Sequence, residues 1–425
     1  MKKSINHNGQ RIGIVSTRFI GTDGVSLETE KWATVLSELG HTCFYFAGDS
    51  DRDPERNYIV EEALFKHPDI DEIYVACFDN NIRRPEITTK IHLIKDYLKS
   101  HLYKFLKQFD ISLLIVENAL AIPLNIPLGL ALTELIIETN LQTIAHHHDF
   151  FWERKRFLVN CVWDYLNMAF PPHLPAIHHV VINSSAANQL ALRTGISSTL
   201  IPNVMDFDHP PEKPNGYTQD IRQALGVLPG EKLLLQPTRV VPRKGIEHAI
   251  EIVKRLKIPS RLIISHASGD EGYSYEKHLR DYAELLSVPV NFVWDIIREQ
   301  RGTLPDGRKI YTLWDLYPHA DLVTYPSDIE GFGNAFLEAV YYRRPIVVNS
   351  YSIFDIDLKP KGFHVISFDG YITDQTIEQI QQVLTDDQLA QQITEINYEV
   401  GKKFYSCSVL ERKLQTLLSE CFGEK

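Results

Sequence analysis

The chain has 425 residues, 44% of them apolar and 10% aromatic, with 22 glycines and 22 prolines; this points to two or three globular domains and excludes disordered, collagen-like and low-complexity classes. Its five cysteines, Cys43, Cys77, Cys161, Cys407 and Cys421, are widely spaced and form no CxxC pair, which excludes a disulfide framework or a zinc ribbon and points to a reducing, cytoplasmic setting. The net charge of −11 divides as −4 over residues 1–205 (19 basic against 23 acidic) and −7 over the remainder (25 against 32), so neither half has the positive excess that nucleic acid binding needs.

At the N-terminus, MKKSINHNGQ has lysines but no apolar core behind them, so a secretory signal is not expected. Residues 11–16 form an apolar run of strand length, followed by a loop with Gly21 and Gly24. Ser26 is a candidate cap for an amphipathic helix that runs to Leu39 and stops at Gly40, and residues 42–46 give a second strand. This succession opens a doubly wound α/β sheet. Further buried strands are predicted at residues 72–76, 112–116, 143–146 and 179–183, their continuous apolar character suiting a parallel sheet covered on both faces.

Residues 88–109 read as an amphipathic helix. Its apolar stripe is Ile91, Ile94, Leu98, Leu102, Phe105 and Phe109; its polar face carries Lys90, Lys95, Lys99, Lys104 and Lys107 against Asp96 alone. A core-packing helix with a solvated face explains this pattern, and a membrane-surface helix is the rival. The most apolar stretch, residues 111–137, is broken by Glu117, Asn118, Pro123, Asn125, Pro127 and Glu134, so no span is expected. A proline-rich, polar linker follows at 205–226. The βα alternation then restarts, with strands at 232–236, 261–265, 290–294, 322–326 and 346–349 and helices at 246–256, 275–286 and 334–342. Residues 376–421 read as two or three amphipathic helices.

Four segments carry candidate chemistry. In residues 327–339, SDIEGFGNAFLEA, a strand ends, a glycine turn follows and a helix begins near Gly333 or Asn334. Gly331 and Gly333 allow close backbone approach, and the helix start offers free N–H groups to an anion. Glu330 stands at the lip, and Glu338 lies eight residues on, placed to hold a second hydroxyl of one long ligand. In residues 237–245, PTRVVPRKG, Arg239 and Lys244 offer a fork and a point charge for a diphosphate. In residues 145–154, AHHHDFFWER, three adjacent histidines cannot all face one metal from a strand. One of them beside Asp149 better suits a sugar or phosphate: His148, or His147 facing the other way. Residues 17–26, TRFIGTDGVS, lack the GxGxxG spacing of a dinucleotide site but allow backbone to approach a ligand.

Taken in chain order, and with Ile201-Pro202-Asn203 before the linker, these elements resemble the retaining glycosyltransferases of family 4 over nearly the whole chain. The resemblance implies a GT-B fold, two Rossmann-like domains facing across a cleft: an acceptor-side domain at 1–205, a nucleotide-sugar domain at 206–400, and a C-terminal helix at 401–425 packing back on the first. It implies a hexose transferred with retention from a UDP-glucose or GDP-mannose type donor to a small polar or saccharide acceptor. Arg239 and Lys244 would hold the diphosphate. Glu330 with Gly331, Phe332, Gly333 and Asn334 would face the sugar, Glu338 the ribose, and Trp294 the base. His148 would lie near the reacting carbon and Gly24 near donor phosphate and acceptor, with no metal or other cofactor required. Three departures bear on donor choice: Tyr341-Tyr342-Arg343-Arg344 replaces small residues, Asn349-Ser350-Tyr351-Ser352 replaces a glycine pair, and residues 298–309 are extra. A sugar-nucleotide epimerase and a transferase with a lipid acceptor at a membrane surface are the rival expectations.

Overall fold

The structure, a computed structural model, describes residues 9–21, 24–268 and 273–422. Residues 1–8 of the N-terminus, and Thr22 and Asp23 of the first glycine loop, lie outside them. The chain forms two compact units, Met1–Asn203 with Ser408–Lys425, and Val204–Cys407.

The first unit is built on seven strands: β1 (Arg11–Val15), β2 (Thr42–Ala47), β3 (Asn57–Ile59), β4 (Leu113–Glu117), β5 (Thr143–His147), β6 (Ile177–Val181) and β7 (Thr199–Leu200). They make one parallel sheet in the order β3-β2-β1-β4-β5-β6-β7. Helices α1 (Gly24–Glu38), α2 (Pro68–Cys77), α3 (Pro85–Phe109), α4 (Ile126–Thr139), α5 (Trp163–Ala169) and α6 (Ser184–Thr194) connect them. All five residues of β4 are buried, and α4 buries ten residues, from Ile126 to Ile136, so the apolar run that looks lipid-like in sequence is core. The terminal helix Cys407–Phe422 adds to this unit, with Lys413 Nζ donating to the Leu200 carbonyl at 2.8 Å.

The second unit repeats the plan. Strands β8 (Lys232–Gln236), β9 (Ser260–Ile264) and β10 (Val290–Phe292) precede a two-stranded ribbon, β11 (Gly302–Thr303) and β12 (Lys309–Ile310). After them come β13 (Leu322–Tyr325), β14 (Ile346–Asn349) and β15 (Ile366–Phe368). The main sheet is parallel in the order β10-β9-β8-β13-β14-β15. Its helices are α7 (Ile221–Ala224), α8 (Ile246–Arg255), α9 (Ser274–Leu286), α10 (Leu313–Leu316), α11 (Asn334–Tyr341), α12 (Asp374–Thr385) and α13 (Asp387–Tyr405). The linker is strapped to this unit: Met205 N donates to Tyr405 O at 2.9 Å and the Tyr398 hydroxyl to Phe207 O at 3.0 Å.

The sequence expectations need correction in three places. Residues 72–76 are not a strand but lie within α2. His67 caps that helix, Pro68 opens it with Asp69 and Asp71 in the first turn, and Ile70, Ile73 and Cys77 make its buried face; a start signal of this strength outweighs a short apolar run. Ser26 is not a cap, because α1 starts two residues earlier. The strand expected at 179–183 is β6, two residues upstream, because the Asn183 side chain accepts from Ala186 N at 2.7 Å and starts α6.

Helix α3 buries Ile91, Leu98, Leu102, Phe105 and Phe109 as the period predicts. Its lysines are largely neutralised. Lys95 and Lys99 meet Glu134 at 2.8 and 2.7 Å, Lys99 also meets Glu138 at 2.8 Å, and Lys90 meets Asp69 and Glu72 at 2.6 Å. Among the described residues no helix is long and apolar enough to cross a membrane. With only Lys104 and Lys107 of that helix face exposed and without a charged partner among the described residues, its attraction to anionic lipid is small at physiological salt. Co-sedimentation with anionic vesicles at about 0.1 M salt is expected to stay at the level of neutral vesicles.

Candidate active site

The second unit gathers charge where β8 and β13 end side by side. After β8 the chain closes a single turn, Pro242–Lys244, and leaves it through Gly245 at φ +55°. A Cβ on Gly245 would stand 2.5 Å from the Pro326 carbonyl oxygen, so glycine here permits both the left-handed turn and the close approach to the segment after β13. Asp328 N donates to Arg243 O at 3.0 Å and holds the two loops together.

This approach delivers Lys244 to Glu330. Their side chains form an ion pair, both about nine-tenths buried, while Arg243 reaches the other carboxylate oxygen at 3.4 Å and donates to Ile329 O at 3.2 Å. The Lys244 ammonium also lies 5.6 Å from the centre of the Tyr325 ring. Burial pulls the Lys244 ammonium below the ordinary lysine value, with Arg243 and Arg239 adding to the pull and Glu330 opposing it. At Glu330 burial pushes upward, but Lys244 and Arg243 prevail and hold the carboxyl below its ordinary value. Arg239 itself is exposed. His266, which the sequence did not single out, sits in the same field: burial first, then Arg239 and Lys244, bring it down to about 4, so it is a neutral imidazole, with Nδ1 2.8 Å from Ser265 Oγ.

Gly331 is exposed and Phe332 buried, and Gly333 leads into α11 at φ +119°. A Cβ on Gly333 would lie 2.4 Å from the Tyr351 hydroxyl, which donates to Phe332 O at 3.0 Å. Asn349 Nδ2 donates to Asp328 Oδ1 at 2.9 Å, and its own oxygen accepts from Gly370 N at 3.0 Å. The segment that replaces the glycine pair is therefore a brace for the Glu330 turn. Asn334 is the first residue of α11 and Glu338 lies one turn further, accepting from the Tyr317 hydroxyl at 2.6 Å. Tyr342 stacks on Tyr317 at 5.1 Å and on Trp314 at 6.0 Å, which explains aromatic rings where small residues were expected. Trp294, just past β10, is 37% exposed. The extra stretch folds as the β11-β12 ribbon, fastened by Arg301 to Asp315 at 2.5 Å and Lys309 to Asp220 at 2.8 Å.

The first unit holds the remaining candidates. Gly24 is the exposed first residue of α1. Along β5 and just past it the histidines alternate. His147 faces one side and pairs with His179 at 2.9 Å, both imidazoles kept neutral chiefly by burial. His146 and His148 share the other side with Glu117, the last residue of β4. Asn118 accepts from His148 N at 3.1 Å and donates to Asp149 Oδ1 at 2.9 Å, and Asp149 is ion-paired to Arg154. Glu117 was legible only as a break in an apolar run; its signal was a carboxylate closing an otherwise wholly apolar strand.

Residues 218–400 match the family model described as "Glycosyl transferases group 1". The chain is 32% identical to the mannosylglucosylglycerate synthase of Thermotoga maritima, over 94% of this chain and 98% of that protein. It is 30% identical to the enzyme of the same name from Petrotoga mobilis, over 84% and 86%. The chain belongs to the group 1 glycosyl transferases. Its fold is GT-B: a glycosyltransferase from Rickettsia africae superimposes with a TM-score of 0.69 over 99% of this chain and all of that one, at 14% identity.

In this glycosyltransferase, replacing Lys244 by alanine leaves a buried carboxylate whose remaining ion-pair partner among the described residues is Arg243. A cost of roughly 3–5 kcal/mol is expected, read as a lower Tm by calorimetry. The pair Lys244→Met with Glu330→Gln, which removes both charges, is expected to recover most of that loss.

Proposed function

We propose that this glycosyltransferase moves a hexose, with retention, from a nucleotide-diphosphate sugar to a small polar acceptor in the cytoplasm. The observation that carries this reading is the buried Lys244–Glu330 pair at the glycine turn before α11. A departing diphosphate needs fixed cations and N–H donors rather than a strong base. Lys244 and Arg239 would meet the diphosphate, Glu330 and the turn Gly331–Asn334 the sugar, Glu338 the ribose, Trp294 the base, and His148 and Gly24 the region of the reacting carbon. The acceptor oxygen attacks the anomeric carbon on the face from which the diphosphate leaves. As the bond to the leaving oxygen breaks, the acceptor proton passes to that oxygen, giving glycoside and nucleoside diphosphate. The side chains named supply the stabilising charge, and the reading requires no metal.

Both curated relatives are named mannosylglucosylglycerate synthase. On that ground the donor proposed is GDP-mannose and the acceptor glucosylglycerate. GDP at about 100 times its dissociation constant is expected to stabilise the protein by roughly 2.7 kcal/mol, and UDP by less. Incubation of GDP-mannose with glucosylglycerate is expected to give a product whose anomeric configuration, read from the one-bond carbon–hydrogen coupling, matches the donor. A product of inverted configuration removes the retaining step. Isomerised nucleotide sugar formed without acceptor makes the protein an epimerase, and the absence of both nucleotide binding and turnover in folded protein overturns the reading.

A further inference from the structure

We propose that Glu117 is a positioning residue for His148: the two form a buried carboxylate–imidazolium pair through His148 Nε2–H, which leaves Nδ1–H as a charged donor for a hydroxyl or phosphate oxygen of the substrate. The assignment rests on the reading above only in taking His148 to meet substrate.

The geometry begins with register. Glu117 of β4 is paired with His146 of β5, and neighbours in a parallel sheet point to the same side. His148, two residues on, returns to that side. The Glu117 side chain has no solvent exposure, and its oxygens lie 3.0 and 3.2 Å from His146 Nδ1, with the nearer one 3.2 Å from His148 Nε2. An ionised carboxylate so enclosed requires a countercharge, which one of the two rings must supply.

His146 is unsuited to carry it. Its Nε2 is buried with no hydrogen-bond partner among the described residues, and its face is stacked on Trp32 at 4.2 Å. Protonating Nε2 would enclose a charged N–H with no acceptor, so His146 is the neutral Nδ1–H tautomer, donating to Glu117. The positive charge then belongs on His148. The other charged groups around it agree: Glu28 on α1, itself paired to Lys31 at 3.0 Å, and Asp149, paired to Arg154, both favour a cation there. Burial opposes protonation of His148, but the hydrogen bond and charge of Glu117 outweigh it and hold the imidazole above its ordinary value. Burial opposes ionisation of Glu117, and the hydrogen bonds from both imidazoles favour it. A group raised on folding stabilises the fold fully below its unfolded value, and that stability is lost as pH rises through the folded value. The charged donor is lost over the same range.

An imidazolium cannot accept the acceptor's proton, so His148 is a donor and not a base, in keeping with a step in which the leaving diphosphate takes that proton. Histidine-labelled protein, with His148 assigned through His148→Asn, is expected to show His148 titrating above about 6.5 by NMR, and one unit or more lower in Glu117→Gln. In that variant the basic limb of the kcat/KM–pH profile is expected to move to lower pH by the same amount. A wild-type His148 titrating at or below the ordinary value overturns the proposal, with no variant and no substrate needed. An unmoved basic limb in folded Glu117→Gln overturns it too. So does one equivalent of tightly bound transition metal by elemental analysis, since a metal would then supply the countercharge. If no glycosyl transfer occurs at all, the function proposed above fails while the NMR titration still decides the Glu117–His148 link.

Discussion

Removing a carboxylate from water at or just beyond the end of a parallel strand costs several kcal/mol unless cations meet it, and this chain does so in both units. Glu117 closes β4 and is met by two imidazoles; Glu330 follows β13 and is met by Lys244 and Arg243. Each arrangement fixes its surroundings. Glu117 dictates which ring of a three-histidine run carries charge, and Glu330 requires the β8 loop to reach the β13 loop, hence a glycine at 245 pressed on the Pro326 carbonyl.

The sheet topology explains why the charge collects there. In an open parallel sheet the loops diverge where strand order reverses, and ligands bind beyond the strand ends at that point. In the first sheet the reversal falls between β1 and β4, whose following segments hold Gly24 and Glu117–Asn118. In the second it falls between β8 and β13, whose following segments hold Arg239, Lys244 and Glu330. The same topological point thus supplies the candidate groups in both units.

Most of this was legible in the sequence where residue spacing is local. Continuous apolar runs marked the central strands, and the TRVVPRKG and SDIEGFGN segments marked the loops that meet. What escaped depends on pairing between distant segments. Nothing near Glu117 announces His146 and His148, because the three meet only through β4–β5 register. Arg243 lay inside a motif whose neighbours drew the attention, and its part follows from Glu330 having two oxygens to satisfy. His266 becomes interesting only through the field of Arg239 and Lys244. Residues 72–76 misled because a five-residue apolar run has no period of its own, and the decisive Pro68 stands outside it.

The two buried carboxylates also bear on how charge balances during the proposed reaction. Arg239, Arg243 and Lys244 against Glu330 and Asp328 leave a net of one positive charge around the glycine turn. The diphosphate bridge of a nucleotide sugar carries two negative ones, which the turn would offset in part before reaction. Breaking the bond to the sugar would add a third negative charge to the leaving group, and transfer of the acceptor proton to that oxygen returns it to two. In the same-face attack proposed above the charge to be offset does not rise, whereas a protein base would take the proton and leave a third charge on the leaving group. A protonated His148, as inferred above, would likewise donate to a substrate oxygen without competing for the proton.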